Sequence, residues 1–368
     1  MTMINPWFGI IITIILLIQG IFIPKNKIVF CIQSIWLIIL TCFNAGGGDW
    51  GGNEGIYWLA QVNNNKNFLE NLYPFLISCF RNEGASFIVF NGIMSFFASL
   101  IILFIIYKKS INRNLVLSFW LIFPLIDNII QKRAYYGLSL VILALSFLMD
   151  SQRKISIRNM FIFEVFVVIA YEIHSMYCLY FVVPFYLLLN YKWQKCVSIL
   201  GVIIGFIFKG RLQLAVNTIM GVGISNKSDL YFNQLAATAS LTHTLFWMVW
   251  QISQLAIILY INRKISNTSK NSLLLSLNWW GLLLIPLYSF NPVFTRIFRA
   301  IILFNYIAVA DTFIVRNRRF IGIKPLIVVV SEFTFVILTF YMMDVNTNGL
   351  VRNVYPIFQY NSLLNMLN

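Results

Sequence analysis

Apolar runs follow one another along almost the whole chain, at 7–23, 28–43, 85–107, 114–130, 134–149, 159–173, 176–190, 196–208, 243–261, 272–290, 298–314 and 325–341. A helix needs about 20 apolar residues to cross a hydrocarbon core, within a range of about 17 to 25. Runs of this length, repeated so often, leave a water-soluble fold too little polar surface. Only 11% of residues are charged and 60% are hydrophobic, where soluble domains carry about 25% charge. The expectation is therefore an all-α polytopic membrane protein of about twelve transmembrane helices (about 10 to 14), forming a single integral membrane domain over residues 1–368. The runs that meet near 130 and near 174 are weakly separated, and each pair reads equally as a re-entrant hairpin. The first run has no basic residue before it and no small-residue cleavage site after it, so it reads as a retained span rather than a signal peptide.

The net charge of +15 does not point to nucleic acid, because the basic residues are scattered in short loops between apolar runs. Their pattern sets orientation instead. Alternate loops carry Lys25 and Lys27; Lys108, Lys109 and Arg113; Arg153, Lys154 and Arg158; Lys192 and Lys195; Arg263, Lys264 and Lys270; and Arg316, Arg318, Arg319 and Lys324, or 17 of the 27 basic residues. These loops are expected to be cytoplasmic, with both termini outward. The long segments at about 44–84, 209–242 and 342–368 then face outward. Membrane lipid and anionic substrates are the partners this charge suits.

No P-loop or dinucleotide fingerprint is present, and the glycine-rich GGGDWGG at 46–52 lacks the Lys-Ser/Thr ending of a phosphate cradle. The five cysteines show no metal-ligand spacing. Cys42 and Cys79 both fall near the outer face, where oxidation is possible, and the sequence does not decide whether they meet.

Ionisable residues at the outer membrane boundary are the candidate functional groups. Asp49 follows three glycines and precedes Trp50, Glu54 and Tyr57; it reads either as a ligand-approaching turn or as an interfacial turn anchored by Trp50. Asp127 and Gln131 are spaced to share a helical face, with Lys132 and Arg133 following. Arg133 is the stronger anion candidate of the two cations, since its planar fork matches phosphate oxygens bidentately. His174, beside Tyr171 and Glu172, is placed to act on a hydroxyl proton; His243 is a weaker candidate, and no metal site is expected at either. Arg296 and Arg299 are three apart, on one face of a helix led by Pro292. Arg211 is a lesser candidate in the second long loop, with Lys209 and Lys227 nearby. Asp311 and Glu332 are expected to make structural pairings.

Three segments together resemble the EpsG/Wzy group of polysaccharide polymerases. They are GGGDWGGNEGIYW, DNIIQKRAYYGLSLVILALSFL and AYEIHSMYCLYFVVPFYLL, with LYSFNPVFTRIFRAIILFNY as a weaker fourth. They occur in the family's order over roughly 100 residues. One departure is Ala134, where the family usually has Gln after the Arg. The resemblance implies an O-antigen or surface-polysaccharide polymerase of the bacterial inner membrane, active at its periplasmic face and needing no cofactor. Such an enzyme takes undecaprenyl-pyrophosphate-linked oligosaccharide units, with a chain-length regulator protein as a further partner. On this sequence the resemblance makes Arg133, Arg296, Arg299 and Arg211 pyrophosphate-binding, and His174, Asp127 and Asp49 the candidates to orient or deprotonate the attacking hydroxyl. Two other readings fit a polytopic chain: a lipid-linked oligosaccharide flippase, or another multispanning glycosyl- or acyltransferase. A flippase calls for two pseudo-repeated halves and cations deep within spans, whereas most cations here lie at span ends.

Overall fold

The computed structural model describes residues 5–60, 72–150, 156–221, 240–265, 268–313, 323–346 and 349–366. Arg153, Lys154, Lys227, Arg316, Arg318 and Arg319 lie outside the described residues. Among those described, each apolar run is helical and no strand forms beyond one isolated antiparallel bridge, Asn44 with Asn361. The first nine helices are α1 (Pro6–Phe22), α2 (Lys27–Cys42), α3 (Trp50–Leu59), α4 (Leu72–Asn82), α5 (Phe87–Lys109), α6 (Arg113–Ile122), α7 (Leu125–Ile130), α8 (Lys132–Met149) and α9 (Ile157–Ile173). Polar residues between the runs fix where helices begin. The Asn5, Asn26, Asn190 and Ser240 side chains each accept a backbone N–H from the first turn that follows, satisfying donors a helix start leaves open.

Four helices are long and apolar enough to cross a membrane alone: α5, α8, Leu241–Lys264 and Ile323–Asn346. The pair Tyr191–Ile207 and Lys209–Ala215, bent by 102°, makes a fifth if it is one span. Other runs form shorter helices, such as the 17 residues of α1 and 16 of α2. The expected span at 114–130 is broken into α6 and α7 at Phe123 and Pro124, as proline's missing N–H dictates. The run at 176–190 is a 3-10 stretch, Ser175–Val182, followed by the short helix Val183–Leu188. The segments expected as long outward loops contain helices of their own: α3 and α4, Lys209–Gly221, and Leu350–Asn353, Tyr355–Gln359 and Ser362–Met366.

The chain divides into two compact units, Met1–Leu143 with Val309–Asn368, and Ala144–Ala308. In the first, α1 packs on α6, α2 and the helix Tyr355–Gln359, and α2 packs on α5 and α6. Its exterior is apolar: Trp7, Phe8, Ile11, Ile15, Phe97 and Phe104 are all exposed. Its interior carries polar ties. Gln33 Nε2 donates to Leu16 O at 2.9 Å and to Ser118 Oγ at 3.1 Å. A chain of hydroxyls links Thr41 to Ser99 at 3.0 Å and Ser99 to Tyr135 at 2.8 Å. Apolar outside with hydroxyl and amide bonds between helices inside is the arrangement a lipid solvent selects, because in lipid the packing of helices rests on close contact and interhelical hydrogen bonds. Asp311 Oδ1 accepts from Ser110 Oγ at 2.7 Å and Ile111 N at 3.0 Å. Its role is structural, as expected, with hydroxyl and amide groups as its partners among the described residues. Cys42 and Cys79 are both free thiols, one buried and one exposed.

In the second unit, Leu241–Lys264 packs on Ser269–Gly281, and α9 packs on the 3-10 stretch that follows it. Asn305 Nδ2 donates to Gln254 Oε1 at 3.0 Å and to Asn278 Oδ1 at 3.0 Å, and Asn278 Nδ2 donates back to Asn305 Oδ1 at 2.8 Å. These amides hold three helices together in a buried layer.

Candidate functional site

The residues singled out from sequence divide between the units: Asp49, Asp127 and Arg133 lie in the first, and His174, Arg211, Arg296 and Arg299 in the second.

In the second unit, α9 ends at His174, whose backbone N–H still bonds to Ala170 O at 2.8 Å. The chain then winds as a 3-10 helix, with about three residues per turn, so residues three apart eclipse one another. His174, Tyr177 and Tyr180 therefore form one stack. The His174 and Tyr177 rings are 6.0 Å apart, Tyr177 and Tyr180 6.4 Å, and Tyr180 lies 5.1 Å from Trp280. The Tyr180 hydroxyl donates to Ile297 O, one residue beyond Arg296. This ties the stack to the helix Thr295–Asp311, and both its arginines, Arg299 and Arg296, act electrostatically on Tyr177. Their three-residue spacing thus puts two guanidiniums on one face, as expected. Arg299 is 1% exposed and Arg296 half-buried.

His174 Nδ1 accepts the Met176 N–H at 3.4 Å. In the neutral ring that puts the hydrogen on Nε2, which suits His174 to donate to an oxygen and so orient it. Arg211 is exposed, beyond the 102° bend, with its guanidinium 6.0 Å from the Phe208 ring centroid.

In the first unit, Arg133 is half-buried and lies over Tyr73, 4.6 Å from the ring centroid, a contact worth on the order of 1 kcal/mol. Burial pushes the Tyr73 hydroxyl up to about 12, with the Arg133 guanidinium pulling the other way. Asp127 is 5% exposed and accepts from Gln131 Nε2 at 3.1 Å, so the two do share a face. Asp49 begins α3, its side chain exposed and making no capping bond. Trp50 beside it donates Nε1–H to Glu54 Oε2 at 3.1 Å. Lys132 points inward, 2% exposed, with Nζ 3.4 Å from Thr41 O and 5.8 Å from the Trp50 ring centroid. Its Nζ donates to a carbonyl in the last turn of α2, where a helix end leaves such acceptors open.

Sequence reading missed Tyr177 and Tyr73, the aromatic partners of the cations. The period of three in His174, Tyr177 and Tyr180 was the available signal for the first.

Apolar helices with polar ties inside define an all-α polytopic membrane protein. The chain belongs to the EpsG family, whose model matches residues 27–362. That membership gives it a polysaccharide polymerase-type role in polysaccharide biosynthesis at a membrane. No curated protein and no solved structure matches the chain significantly.

Proposed function

We propose that this protein polymerises oligosaccharide repeat units carried on undecaprenyl pyrophosphate, at the periplasmic face of the bacterial inner membrane. In this reading the chain crosses the membrane about twelve times, with both termini outward. A hydroxyl at the nonreducing end of a new unit attacks the anomeric carbon of the growing chain. The new glycosidic bond forms, the bond to the diphosphate oxygen breaks, and the lipid diphosphate leaves. The hydroxyl proton passes to a base.

Two lipid diphosphates take part, one leaving and one staying on the acceptor, and each unit has guanidiniums for such a group. Arg296 and Arg299 hold one in the second unit, with Arg211 as a more exposed contact. Arg133 holds an anionic group in the first. Guanidiniums fixed in advance beside a leaving diphosphate stabilise charge as it develops, without reorganising at the moment of reaction. In the second unit His174 orients a sugar hydroxyl, and in the first unit Asp127 and Asp49 are the carboxylates able to accept a proton. The observation that carries this reading is the pairing of Arg296 with Arg299 beside Tyr177 and His174, in a chain of the EpsG family.

Deleting the gene and resolving the surface polysaccharide on a gel tests it. Single-repeat product supports the polymerase, and lipid-linked unit trapped on the cytoplasmic side supports a flippase instead. Arg296→Ala and Arg133→Ala are each expected to lower polymer formation by about 100- to 1000-fold while the protein still inserts and folds. Full-length polymer from both variants would refute their assignment.

A further inference from the structure

The break between α6 and α7 leaves a gap in the wall of the first unit. Leu121 and Ile122 end one helix, Leu125 and Ile126 begin the next, and all four line a cavity of about 250 Å³. α1 contributes Trp7, Ile10, Ile14 and Leu17 to the lining, spaced three and four apart and so on one helical face. At the rise of an α-helix, Trp7 to Leu17 covers about 15 Å, or half of a hydrocarbon core about 30 Å thick.

The space suits hydrocarbon. Among the described residues, no charged one lines it. The Thr13 hydroxyl on its wall is already engaged, donating to Gly9 O at 2.8 Å and accepting Trp36 Nε1–H at 2.9 Å. Apolar cavities stay dry and take apolar guests. Trp7 and Ile14 are 51% and 48% exposed, whereas Leu40 and Ile357, also on the wall, are 0% and 1% exposed. The cavity is thus a groove that opens on the apolar exterior and ends inside the unit.

Its inner end meets the polar side of the same unit. Leu40 lines the groove, and the next residue, Thr41, accepts from Lys132 Nζ. Ile126 lines it, and the next residue is Asp127. Lys132 and Arg133 open α8, so the groove and a cationic helix start share the last turn of α2. A guest that uses both has hydrocarbon in the groove and an anionic group beside α8. A glycerophospholipid brings two chains to one phosphate, while the groove is a single channel. One isoprenoid chain ending in a diphosphate matches the channel and the cations together.

We propose that this groove holds the isoprenoid tail of the lipid-linked unit, over the stretch nearest its diphosphate. The inference rests on the polymerase reading for the kind of lipid, and on the groove for its place.

The test uses the full chain purified in detergent, as wild type, Ile14→Trp and Ile11→Trp. Both positions are exposed on α1, and only Ile14 lines the groove. Each protein is titrated with sodium pyrophosphate, with farnesyl diphosphate, and with dodecyl diphosphate as a straight chain of the same backbone length. Wild type is expected to bind farnesyl diphosphate more tightly than either of the others. Ile14→Trp is expected to bind it on the order of tenfold more weakly, as losing the burial of about two methylene groups implies, with pyrophosphate affinity and thermal midpoint unchanged. Ile11→Trp should match wild type throughout. Unchanged farnesyl diphosphate affinity in Ile14→Trp, or an equal loss in Ile11→Trp, overturns the groove and leaves the polymerase reading standing. So does dodecyl diphosphate binding as tightly as farnesyl diphosphate, which makes the groove a site for any alkyl chain. If Ile14→Trp lowers the midpoint, Leu350→Phe fills the groove from its other side and is judged by the same criteria. Failure of wild type to bind any of the three diphosphates removes the polymerase reading, and the tail site with it.

Discussion

Asp311 and Arg299 both lie on the helix Thr295–Asp311, and they are used differently. Asp311 turns its carboxylate to the turn after α5, receiving the Ser110 hydroxyl and the Ile111 amide, while Asn112 Nδ2 donates to Ala310 O at 2.6 Å. Asp311→Ala leaves those donors without their acceptor and is expected to cost about 1–3 kcal/mol, read as a lower thermal midpoint in detergent. Arg299 acts electrostatically on Tyr177 instead. The chain's letters show that Arg296 and Arg299 share a face, because the spacing of a regular helix fixes that. They do not show that Tyr177 comes within electrostatic reach of the pair, because its placement depends on a 3-10 winding after His174. Nor do they reveal that Lys132 turns inward and Arg133 outward over Tyr73, since adjacent residues on a helix differ by about 100° and only packing selects which one is buried.

At the level of helices, the apolar runs fold as helices, because in lipid the backbone must satisfy itself locally, whereas α3, α4 and the other helices of the long outward segments carry no such run. What run length did not give was continuity. The run at 272–290 breaks into Ser269–Gly281, a 3-10 turn at Leu282–Leu284 and the single turn Ile285–Tyr288, and Pro286 supplies the reason. Helix contacts also depend on small residues that hydropathy ignores. A Cβ on Gly20 would run into Ser118 Oγ, Gln33 Nε2 and the Asn114 carbonyl. Gly20→Ala is therefore expected to separate α1 from α6 and destabilise by about 1–3 kcal/mol; a midpoint equal to wild type would show that α1 can shift without loss.

For the whole molecule, family membership spans residues 27–362 and the apolar exterior fits a bilayer, while orientation rests on the lysine and arginine bias. Glu83 and Lys192 are both exposed, and that bias places them on opposite sides. In a background lacking the native cysteines, Glu83→Cys is expected to react with an impermeant maleimide in spheroplasts and Lys192→Cys only after lysis. The reverse pattern would turn the molecule over and put Arg296 on the wrong face for a periplasmic reaction.

The bridge between Asn44 and Asn361 has a consequence for how the molecule is made. Ala45 N bonds to Tyr360 O at 2.9 Å, Ser362 N to Phe43 O at 2.8 Å, and Asn361 Nδ2 to Ile39 O at 2.8 Å. The ribosome delivers α2 about three hundred residues before the segment that fastens onto its end. Throughout that interval the first unit lacks a wall, and its helices wait in the bilayer while the whole second unit is inserted. A chain stalled near residue 340 should thus hold every helix of the second unit and still be open to proteolysis around Phe43.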